Sequence, residues 1–354
     1  MRIMLIGEYS GFHQNLRDGL LELGHEAIVA GRKDGKKQIS VDIDLDAVRS
    51  GILGKLERVW KSYRFSKAVN GYDVIQLINP WIFPKGLGLN EFLIRRILRH
   101  NLNVFLSACG DDAMFVMKGA QQLRYHPFKE AIQYDLKVIK HPLDSAKSLA
   151  WNEELASAVK GIVPIGYEYA VGYVSCPNLK DCIPLPINTK KIKYIDNRVN
   201  RKITIFHGLN RYGFKGTRHI EAAFEVLKRK YPNDVDFIIA GGVPLAEYLK
   251  LLERANVVVD QTNSYSCGMN AIYAMAMGKV VMGGAEPETL QAYGVDASPV
   301  INIVPDSKDI ITKIESLLDS RNNLIEHGWQ SRRFVEMHHN HVKVANQYLK
   351  VWLN

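Results

Sequence analysis

Short runs of apolar residues recur along the chain, and each run ends in a glycine or in polar residues. The first run, Ile3–Ile6, ends at Gly7, which is typical of a buried parallel strand that leads into a loop. Leucines at helical spacing follow it, and Gly24 provides a stop signal for that helix. His25–Ala30 then predicts a second strand. This stretch therefore has the pattern of a βαβ unit.

The same alternation continues to the end of the chain. In the first half it predicts strands at 73–78, 104–107 and 158–164 and a helix around 92–98. A second series begins with strands at 203–208, 235–242, 257–260, 279–284 and 300–303, with a helix at 218–230 and a largely helical tail from 309 to 353. Strands that alternate with helices predict the α/β class, here with two Rossmann-like doubly wound domains that face a cleft.

Length and the proline pattern support this division into two domains. The chain has 354 residues, whereas single hydrophobic cores stop growing near about 250–300 residues. Two prolines, Pro184 and Pro186, lie close together in the segment 182–188, before a charged stretch that extends to Arg201. We expect the linker there.

Basic residues exceed acidic ones, which gives a formal net charge of +9. A positive surface attracts nucleic acids, anionic lipids and phosphorylated substrates alike. The basic residues are scattered in short groups rather than collected in one polybasic arm, so nucleic acid is not an expected partner. Phosphorylated substrates and peripheral contact with an anionic membrane remain open.

Cysteine content and hydropathy indicate the compartment. Four cysteines are too few for a disulfide framework and lack the spacing of a zinc site. The first apolar run is too short for a secretion signal, and no run of about 18 apolar residues occurs that would span a membrane. The expected location is the cytoplasm, with the inner face of the membrane as a site of peripheral attachment.

Three loops that follow predicted strands carry candidate chemistry, because ligands bind beyond the carboxyl ends of parallel strands. Gly11 follows the first strand and allows a close approach of the backbone to a ligand. Arg211 and Lys215 lie in a glycine-flanked loop before a helix, where two cations can neutralise a diphosphate without a metal; a solvated loop is the alternative. Gly268 opens a helix of small residues whose first amides can face an anion.

Carboxylates and histidines add further candidates. Asp111 and Asp112 follow a predicted strand and can orient a substrate hydroxyl or accept its proton, and the family resemblance described next makes that hydroxyl the one of an acceptor. His13 lies in the first loop and is a candidate contact for a ligand in the cleft, or a helix-start histidine without a ligand. The run His338–His341 does not predict a metal site, since adjacent histidines on a helix point to different faces. No metal ligand is therefore assigned.

Several segments together resemble one known family. The segments HGLNRYGFKGT, FIIAGG, ANVVVDQTNSYSCGMNAIYAMAMGKVVMGG and AEPE, within residues 200–340, are similar to the C-terminal lobe of GT-B glycosyltransferases of the retaining group 1 type, family four. The N-terminal segment RIMLIGEYSGFHQNLRDGLLELGHEAIVA is similar to the acceptor lobe of that family. The resemblance implies an acceptor-binding domain at 1–185, a nucleotide-sugar-binding domain at 186–335, and a helix at 336–354 that packs back on the first domain.

The resemblance also implies roles for residues at matching positions. Arg211 and Lys215 would hold the diphosphate of a nucleotide-sugar and stabilise the leaving nucleotide. The backbone at the start of the following small-residue helix would face the donor, and the first loop would face its phosphates. The resemblance implies donor contacts at Gly11, Gly268 and Met269, and His13 and Asn270 in the same two places are further donor-binding candidates.

The chain departs from the family at two positions. The family carries two glutamates eight positions apart, and tyrosines occupy both matching positions here, Tyr265 and Tyr273. Tyrosine retains hydrogen bonding and stacking but lacks the charge. Glu286 or Glu288, in the loop after the next strand, could supply a carboxylate to the donor; exposed loop charges are the alternative reading.

These features lead to one expected function and two alternatives. The expected protein is a metal-independent hexosyltransferase that needs no cofactor, moves a sugar from a nucleotide-diphosphate donor to a glycan or lipid-linked acceptor, and retains the anomeric configuration. The family implies a role in polysaccharide biosynthesis. The alternatives are a non-catalytic nucleotide-sugar-binding protein of the same architecture, which the two tyrosines motivate, and a nucleotide-sugar epimerase.

Overall fold

A computed structural model describes residues 1–35, 38–133, 142–209, 211–243 and 245–354 of the chain. The described residues form two parallel sheets, each flanked by helices. This arrangement confirms the predicted α/β class with two Rossmann-like domains.

The first sheet has six strands in the order β3-β2-β1-β4-β5-β6. Its strands are β1 (Arg2–Ile6), β2 (Glu26–Gly31), β3 (Ile43–Asp44), β4 (Val74–Leu77), β5 (Val104–Ala108) and β6 (Gly161–Pro164). All pair in parallel, with Ile3 of β1 opposite both Ala27 and Val74. The helices of this lobe are α1 (Phe12–Glu22), α2 (Gly51–Ala68), α3 (Leu89–His100), α4 (Ala120–Gln122), α5 (Pro127–Gln133), α6 (Ala146–Ala158) and α7 (Tyr167–Val171).

The second sheet has five parallel strands in the order β11-β10-β9-β7-β8. Its strands are β7 (Ile203–Gly208), β8 (Val235–Ala240), β9 (Val257–Val259), β10 (Val280–Gly283) and β11 (Ile301–Asn302). The helices that follow the linker are α8 (Thr217–Lys230), α9 (Leu245–Arg254), α10 (Met269–Ala276), α11 (Pro287–Tyr293), α12 (Ser307–Asp319), α13 (Leu324–His338) and α14 (His341–Leu353).

The predicted strands and the helices at 92–98 and 218–230 all occur within a few residues of their expected places. Strand β3 and helices α2, α4, α5, α6, α7, α9 and α11 were not covered by any prediction. Strands were readable because both faces of a parallel sheet are covered: β4 and β5, for example, are buried at every position.

The C-terminal helix α14 crosses back to the first lobe, as expected, although it begins at His341 rather than at 336. It packs along α1, and the ring centroids of Phe12 and Tyr348 lie 6.3 Å apart. Trp352 donates a hydrogen bond from its indole nitrogen to the Gln76 side chain, 2.9 Å away, beneath the first sheet. The end of the chain therefore closes the core of the first lobe.

Packing between α1 and α14 depends on Gly19. A β-carbon at this position would lie 2.1 Å from the carbonyl oxygen of His341, so only glycine allows the two helices to approach this closely. The apolar cluster around α1 and α14 continues through α10 into the second lobe. The two lobes thus share one continuous apolar contact, and some of its members, such as Cys109 and Met269, also line the cleft described below.

Candidate functional site

A cleft of about 480 Å³ lies between the carboxyl ends of the two sheets. In each sheet the chain order reverses at one point, between β1 and β4 in the first sheet and between β7 and β9 in the second. Ligands of doubly wound sheets bind at such switch points. The loops after all four of these strands line the cleft, so the two switch points face each other.

Six of the residues proposed from sequence line this cleft together. They come from the loop after β5, from the loop between β7 and α8, and from the start of α10. The six are Asp111, Arg211, Lys215, Gly268, Met269 and Asn270.

Lys215 is held by a carboxylate of its own lobe. Its ammonium nitrogen lies 2.8 Å from Asp260 Oδ1, and the two side chains are only 10% and 2% exposed. The second oxygen of Asp260 accepts a hydrogen bond from the Gly268 amide, 3.2 Å away. Asp260 therefore ties Lys215 to the start of α10 and offsets its charge.

The backbone around Lys215 requires the glycine that follows it. Gly216 has a φ of +70° and a β-carbon there would lie 1.9 Å from the Thr262 hydroxyl oxygen. The Lys215 carbonyl accepts a hydrogen bond from the Thr262 amide at 3.0 Å. This contact places the β7–α8 loop directly against the loop after β9.

Arg211 reaches across the cleft to the first lobe. Its guanidinium pairs with Asp111 at 2.5 Å and lies over the Phe214 ring, 3.5 Å from its centroid. The neighbouring Asn210, part of the same predicted loop, lies outside the described residues. Arg211 is 38% exposed, so its fork remains accessible from the cleft.

The charges that line the cleft balance. Three cations, Lys85, Arg211 and Lys215, stand against the three carboxylates Asp34, Asp111 and Asp260 among the described lining residues. Arg211 and Lys215 thus bring positive charge to the cleft, but the described lining as a whole carries no net charge. An anion that binds in the cleft must compete with carboxylates for the cations.

The start of α10 supplies backbone donors. Gly268 precedes the helix with an extended backbone, and Met269 and Asn270 are its first two residues. The first amides of a helix have no partner within the helix. The amides of Met269 and Asn270 thus stand at the cleft beside Lys215 and can donate to an anion.

The corresponding place in the first lobe is already occupied by a carboxylate that the sequence reasoning missed. Glu8 accepts hydrogen bonds from the amides of Gly11, at 2.7 Å, and Gln14, at 2.9 Å. A phosphate at Gly11 would therefore have to compete with the Glu8 carboxylate for the Gly11 amide. Burial raises the pKa of Glu8 to about 7.

Asp112 points away from the cleft although Asp111 lines it. Asp112 is fully buried, accepts a hydrogen bond from the Tyr173 hydroxyl at 2.7 Å, and accepts another from the Phe115 amide at 2.8 Å. Burial raises its pKa to about 6. Its contacts orient the turn after β5 rather than a ligand.

His13 is also buried beneath the first loop. Its Nδ1 lies 2.8 Å from the Gly7 carbonyl oxygen, and burial lowers its pKa to about 3. The imidazole is therefore neutral, with Nδ1 as the donor to Gly7. It supports the loop from below and does not line the cleft.

Tyr265 lies in a contact between the lobes, outside the cleft. Its hydroxyl accepts a hydrogen bond from the Arg124 amide at 2.7 Å, and its ring packs against Tyr125 with centroids 4.9 Å apart. The carboxylates of Glu286 and Glu288 both pair with the Arg124 guanidinium. Neither glutamate lines the cleft, so neither supplies a carboxylate to a donor bound there.

Tyr273 lies on the other side, where α10 meets α1. A β-carbon on Gly11 would lie 3.3 Å from the Tyr273 hydroxyl oxygen. The Asn15 side chain also interacts with this hydroxyl. Tyr273 thus contacts the first loop of the opposite lobe, beside the cleft rather than in it.

Sequence reasoning missed most of the first-lobe lining. Aromatic and polar side chains follow β1, β4 and β6, which were all predicted strands, so a systematic survey of the residues after each strand would have found them. They are Tyr9, Asn79, Trp81, Lys85 and Tyr169. Lys85 lies over the Trp81 ring, 4.9 Å from its centroid, and burial lowers its pKa.

Metal binding finds no support in side-chain clustering. Within the described ranges, no group of three or more His, Cys, Asp or Glu side chains is arranged to hold a metal ion. The histidines of the run 338–341 have separate partners. His339 contacts the Leu185 carbonyl oxygen through Nδ1, and His341 pairs with Glu22.

Comparison by sequence finds no matching protein-family model and no matching curated protein. Comparison by structure finds matches along nearly the whole chain. Sucrose-phosphate synthase from Thermosynechococcus elongatus superposes with a TM-score of 0.63 at 16% identity, covering 99% of this chain and 98% of that one. HepE from Anabaena, in complex with UDP-glucose, gives 0.61 at 14% identity and 99% coverage of both chains.

An epimerase shares the architecture. UDP-GlcNAc 2-epimerase from Neisseria meningitidis, bound to UDP-GlcNAc, superposes with a TM-score of 0.52 at 11% identity and covers 100% of both chains. The likeness therefore extends over both lobes and their mutual arrangement. The chain has the GT-B fold that these glycosyltransferases and epimerases share.

Proposed function

We propose that the protein is a metal-independent, retaining glycosyltransferase that moves a hexosyl group from a nucleotide-diphosphate sugar to a glycan or lipid-linked acceptor. One observation carries the proposal. In a GT-B fold, Arg211, Lys215 and the first amides of α10 converge at one switch point, opposite an aromatic and polar wall at the other.

The second-lobe side suits a diphosphate. Arg211 offers a planar fork for bidentate bonds, and Lys215 offers a point charge. The amides of Met269 and Asn270 add neutral donors at a helix start. Because Lys215 is buried against Asp260, the more exposed Arg211 supplies most of the new charge by exchanging Asp111 for a phosphate.

That exchange gives Asp111 its own role. Once Arg211 contacts the diphosphate, the Asp111 carboxylate is free to face the acceptor and to take up the proton of its hydroxyl. Binding of the donor would thus free the Asp111 carboxylate that receives the proton of the acceptor. Departure of the diphosphate is favoured by fixed cations and amides, so catalysis rests on positioning and electrostatics.

The first-lobe wall suits a sugar-containing acceptor. Tyr9, Trp81 and Tyr169 present ring faces, and Asn79 and Lys85 add polar groups near them. Pockets of this kind combine apolar ring surfaces with a few polar groups that set orientation. Peripheral contact with an anionic membrane would bring a lipid-linked acceptor to this wall.

The first experiment measures ligand binding and product formation separately. UDP, UDP-glucose and UDP-GlcNAc serve as calorimetric probes, because solved structures of this fold hold them. Arg211→Ala should weaken binding of each probe, whereas Arg229→Ala, an exposed arginine of α8, serves as the matched control. Unchanged affinity in the Arg211 variant would remove the proposed donor site.

Product analysis then separates the two catalytic candidates. Transfer requires an acceptor, whereas an epimerase alters the nucleotide-sugar alone. The epimerase is the second candidate because an enzyme of that kind superposes over the full length of both chains. Donor altered without acceptor favours the epimerase; binding without any product across a broad acceptor panel favours a non-catalytic binding protein.

A further inference from the structure

Helix α2 exposes a row of large apolar side chains. Ile52, Leu53, Leu56, Trp60 and Tyr63 are between 38% and 76% exposed. Single exposed apolar residues are common on protein surfaces, but a contiguous group marks an interaction site. Five such side chains within three turns of one helix form a contiguous group.

In an ordinary amphipathic helix the large apolar residues face the core, whereas in α2 most of them face water. Its buried positions are Gly54, Ser62, Phe65 and Ser66, of which only Phe65 is large and apolar. At 3.6 residues per turn these positions share one face, and the five exposed apolar residues lie on the opposite face. The face turned to water is therefore more apolar than the face turned to the core.

The basic residues beside this face have no acidic partners among the described residues. Arg49, Arg64 and Lys67 are exposed, and in the described part of the chain none of them forms an ion pair with a carboxylate. Arg64 lies over the Trp60 ring at 4.8 Å, and Lys67 lies over the Tyr63 ring at 5.0 Å.

The nearby acidic residues are turned to other partners. Glu57 pairs with Lys61 at 3.1 Å and accepts from the amides of Val48 and Arg49. Asp46 pairs with Arg58 at 3.5 Å. The surface formed by the five apolar residues and the three cations, here called the α2 face, is thus apolar and positive.

We propose that the α2 face docks on an anionic lipid surface. Its aliphatic residues and Trp60 would enter the boundary between headgroups and acyl chains, and its cations would contact lipid phosphates. Arginine and lysine stems can lie along the apolar surface while their charged ends reach the headgroups. A second copy of the chain fits less well, since a two-fold interface would set the three cations against their own copies.

The position of α2 connects docking to the cleft. The helix follows β3, which ends at Asp44, so its first turn at Gly51 lies near the carboxyl edge of the sheet, where the cleft opens. Docking itself does not depend on what the cleft binds. Delivery of a lipid-linked acceptor to the cleft is the consequence that rests on the proposed function.

The test is co-sedimentation of the full chain with vesicles. Vesicles of phosphatidylcholine alone are compared with vesicles that also contain phosphatidylglycerol. We expect binding to the anionic vesicles only, and weaker binding at high salt. The paired substitutions Leu56→Gln/Trp60→Gln and Arg64→Gln/Lys67→Gln should each lower the partition coefficient by about tenfold or more.

Two matched controls make the test specific. Leu102→Gln/Val174→Gln removes exposed apolar residues elsewhere in the first lobe, and Lys228→Gln/Arg229→Gln removes exposed cations from α8. Both should bind vesicles like the original chain. All variants should keep the same circular dichroism and UDP affinity, which separates loss of docking from loss of the donor site.

Three outcomes would overturn the proposal. They are absence of binding to anionic vesicles, binding that the α2 variants leave unchanged, and concentration-dependent self-association that the Leu56/Trp60 variant abolishes. The last result would assign the α2 face to a second copy of the chain. Failure of UDP to bind, with vesicle binding intact, would instead count against the proposed function alone.

Discussion

Replacing Asp111 by asparagine should tighten nucleotide binding, although Asp111 lines the cleft. In the structure its carboxylate holds the Arg211 guanidinium at 2.5 Å, across the cleft. A diphosphate that takes Arg211 must first displace this carboxylate. The Asp111→Asn variant removes the competing charge and the repulsion between Asp111 and the phosphates, while it keeps the shape of the side chain.

The size of the effect follows from the exposure of the pair. The side chains of Arg211 and Asp111 are 38% and 13% exposed, so water screens their attraction in part. Ion pairs in such surroundings contribute about 0.2–1 kcal/mol. The dissociation constant for UDP should therefore fall up to about fivefold in Asp111→Asn. Arg211→Ala loses charge-assisted bonds of about 1.5–3 kcal/mol and should raise the constant by roughly ten- to a hundredfold.

Calorimetric titration of UDP into four proteins tests this reasoning: the original chain, each single variant and the double variant. With Arg211 absent, Asp111→Asn should recover little, because its main effect acts through the arginine. Asp296→Asn, an exposed carboxylate outside the cleft, is the control for charge alone. If Asp111→Asn binds UDP as poorly as Arg211→Ala does, the two residues do not compete and the assignment of Arg211 to the phosphates fails.

Three further predictions concern stability. Burial raises the pKa of Glu8 from 4.5 to about 7. Between these two values the folded chain keeps a proton that the unfolded chain releases. The free energy of unfolding should therefore fall by up to about 3 kcal/mol as pH rises from about 4.5 to about 7. In urea denaturation, the Glu8→Gln variant should not show this decline. The same pH dependence in the variant and in the original chain would contradict the prediction. Lys215→Met leaves Asp260 buried without its cation and should lower the free energy of unfolding by about 3–5 kcal/mol. Adding Asp260→Asn should restore most of this stability. A decrease below about 1 kcal/mol would show that the pair is not a buried ion pair. Gly19→Ala should destabilise by about 1–3 kcal/mol in thermal denaturation because α14 must move away from α1, while Gly86→Ala, which meets open space, should melt like the original chain.

Prediction from the sequence succeeded where a local rule was sufficient. Parallel strands are buried on both faces, so each predicted strand stood out as an apolar run. Their carboxyl ends share one edge of a sheet, which is why Arg211, Lys215 and Gly268, all on loops after predicted strands, were expected to be neighbours, and the structure brings them to one cleft.

Prediction did not extend to features that depend on contacts between distant segments. Tyr265 matches a family position, but its surroundings are set by Arg124 and Tyr125, which come from the opposite lobe. Helix α2 gave no readable signal of its placement, because its apolar residues face outward rather than toward the core. A periodic pattern reports that a helix has an apolar face; it does not report what that face meets.

The sequence by itself determined the two-domain α/β architecture and placed two of the three described cations, Arg211 and Lys215, at the cleft. Both results follow from the order of apolar runs and from the residues after them. Only the tertiary structure decided how those cations are neutralised. Lys215 pairs with Asp260, 45 positions away, and Arg211 pairs with Asp111, 100 positions away. Such pairing depends on ångström-scale distances between separate loops, because the attraction between two charges depends on their separation and on the water around them.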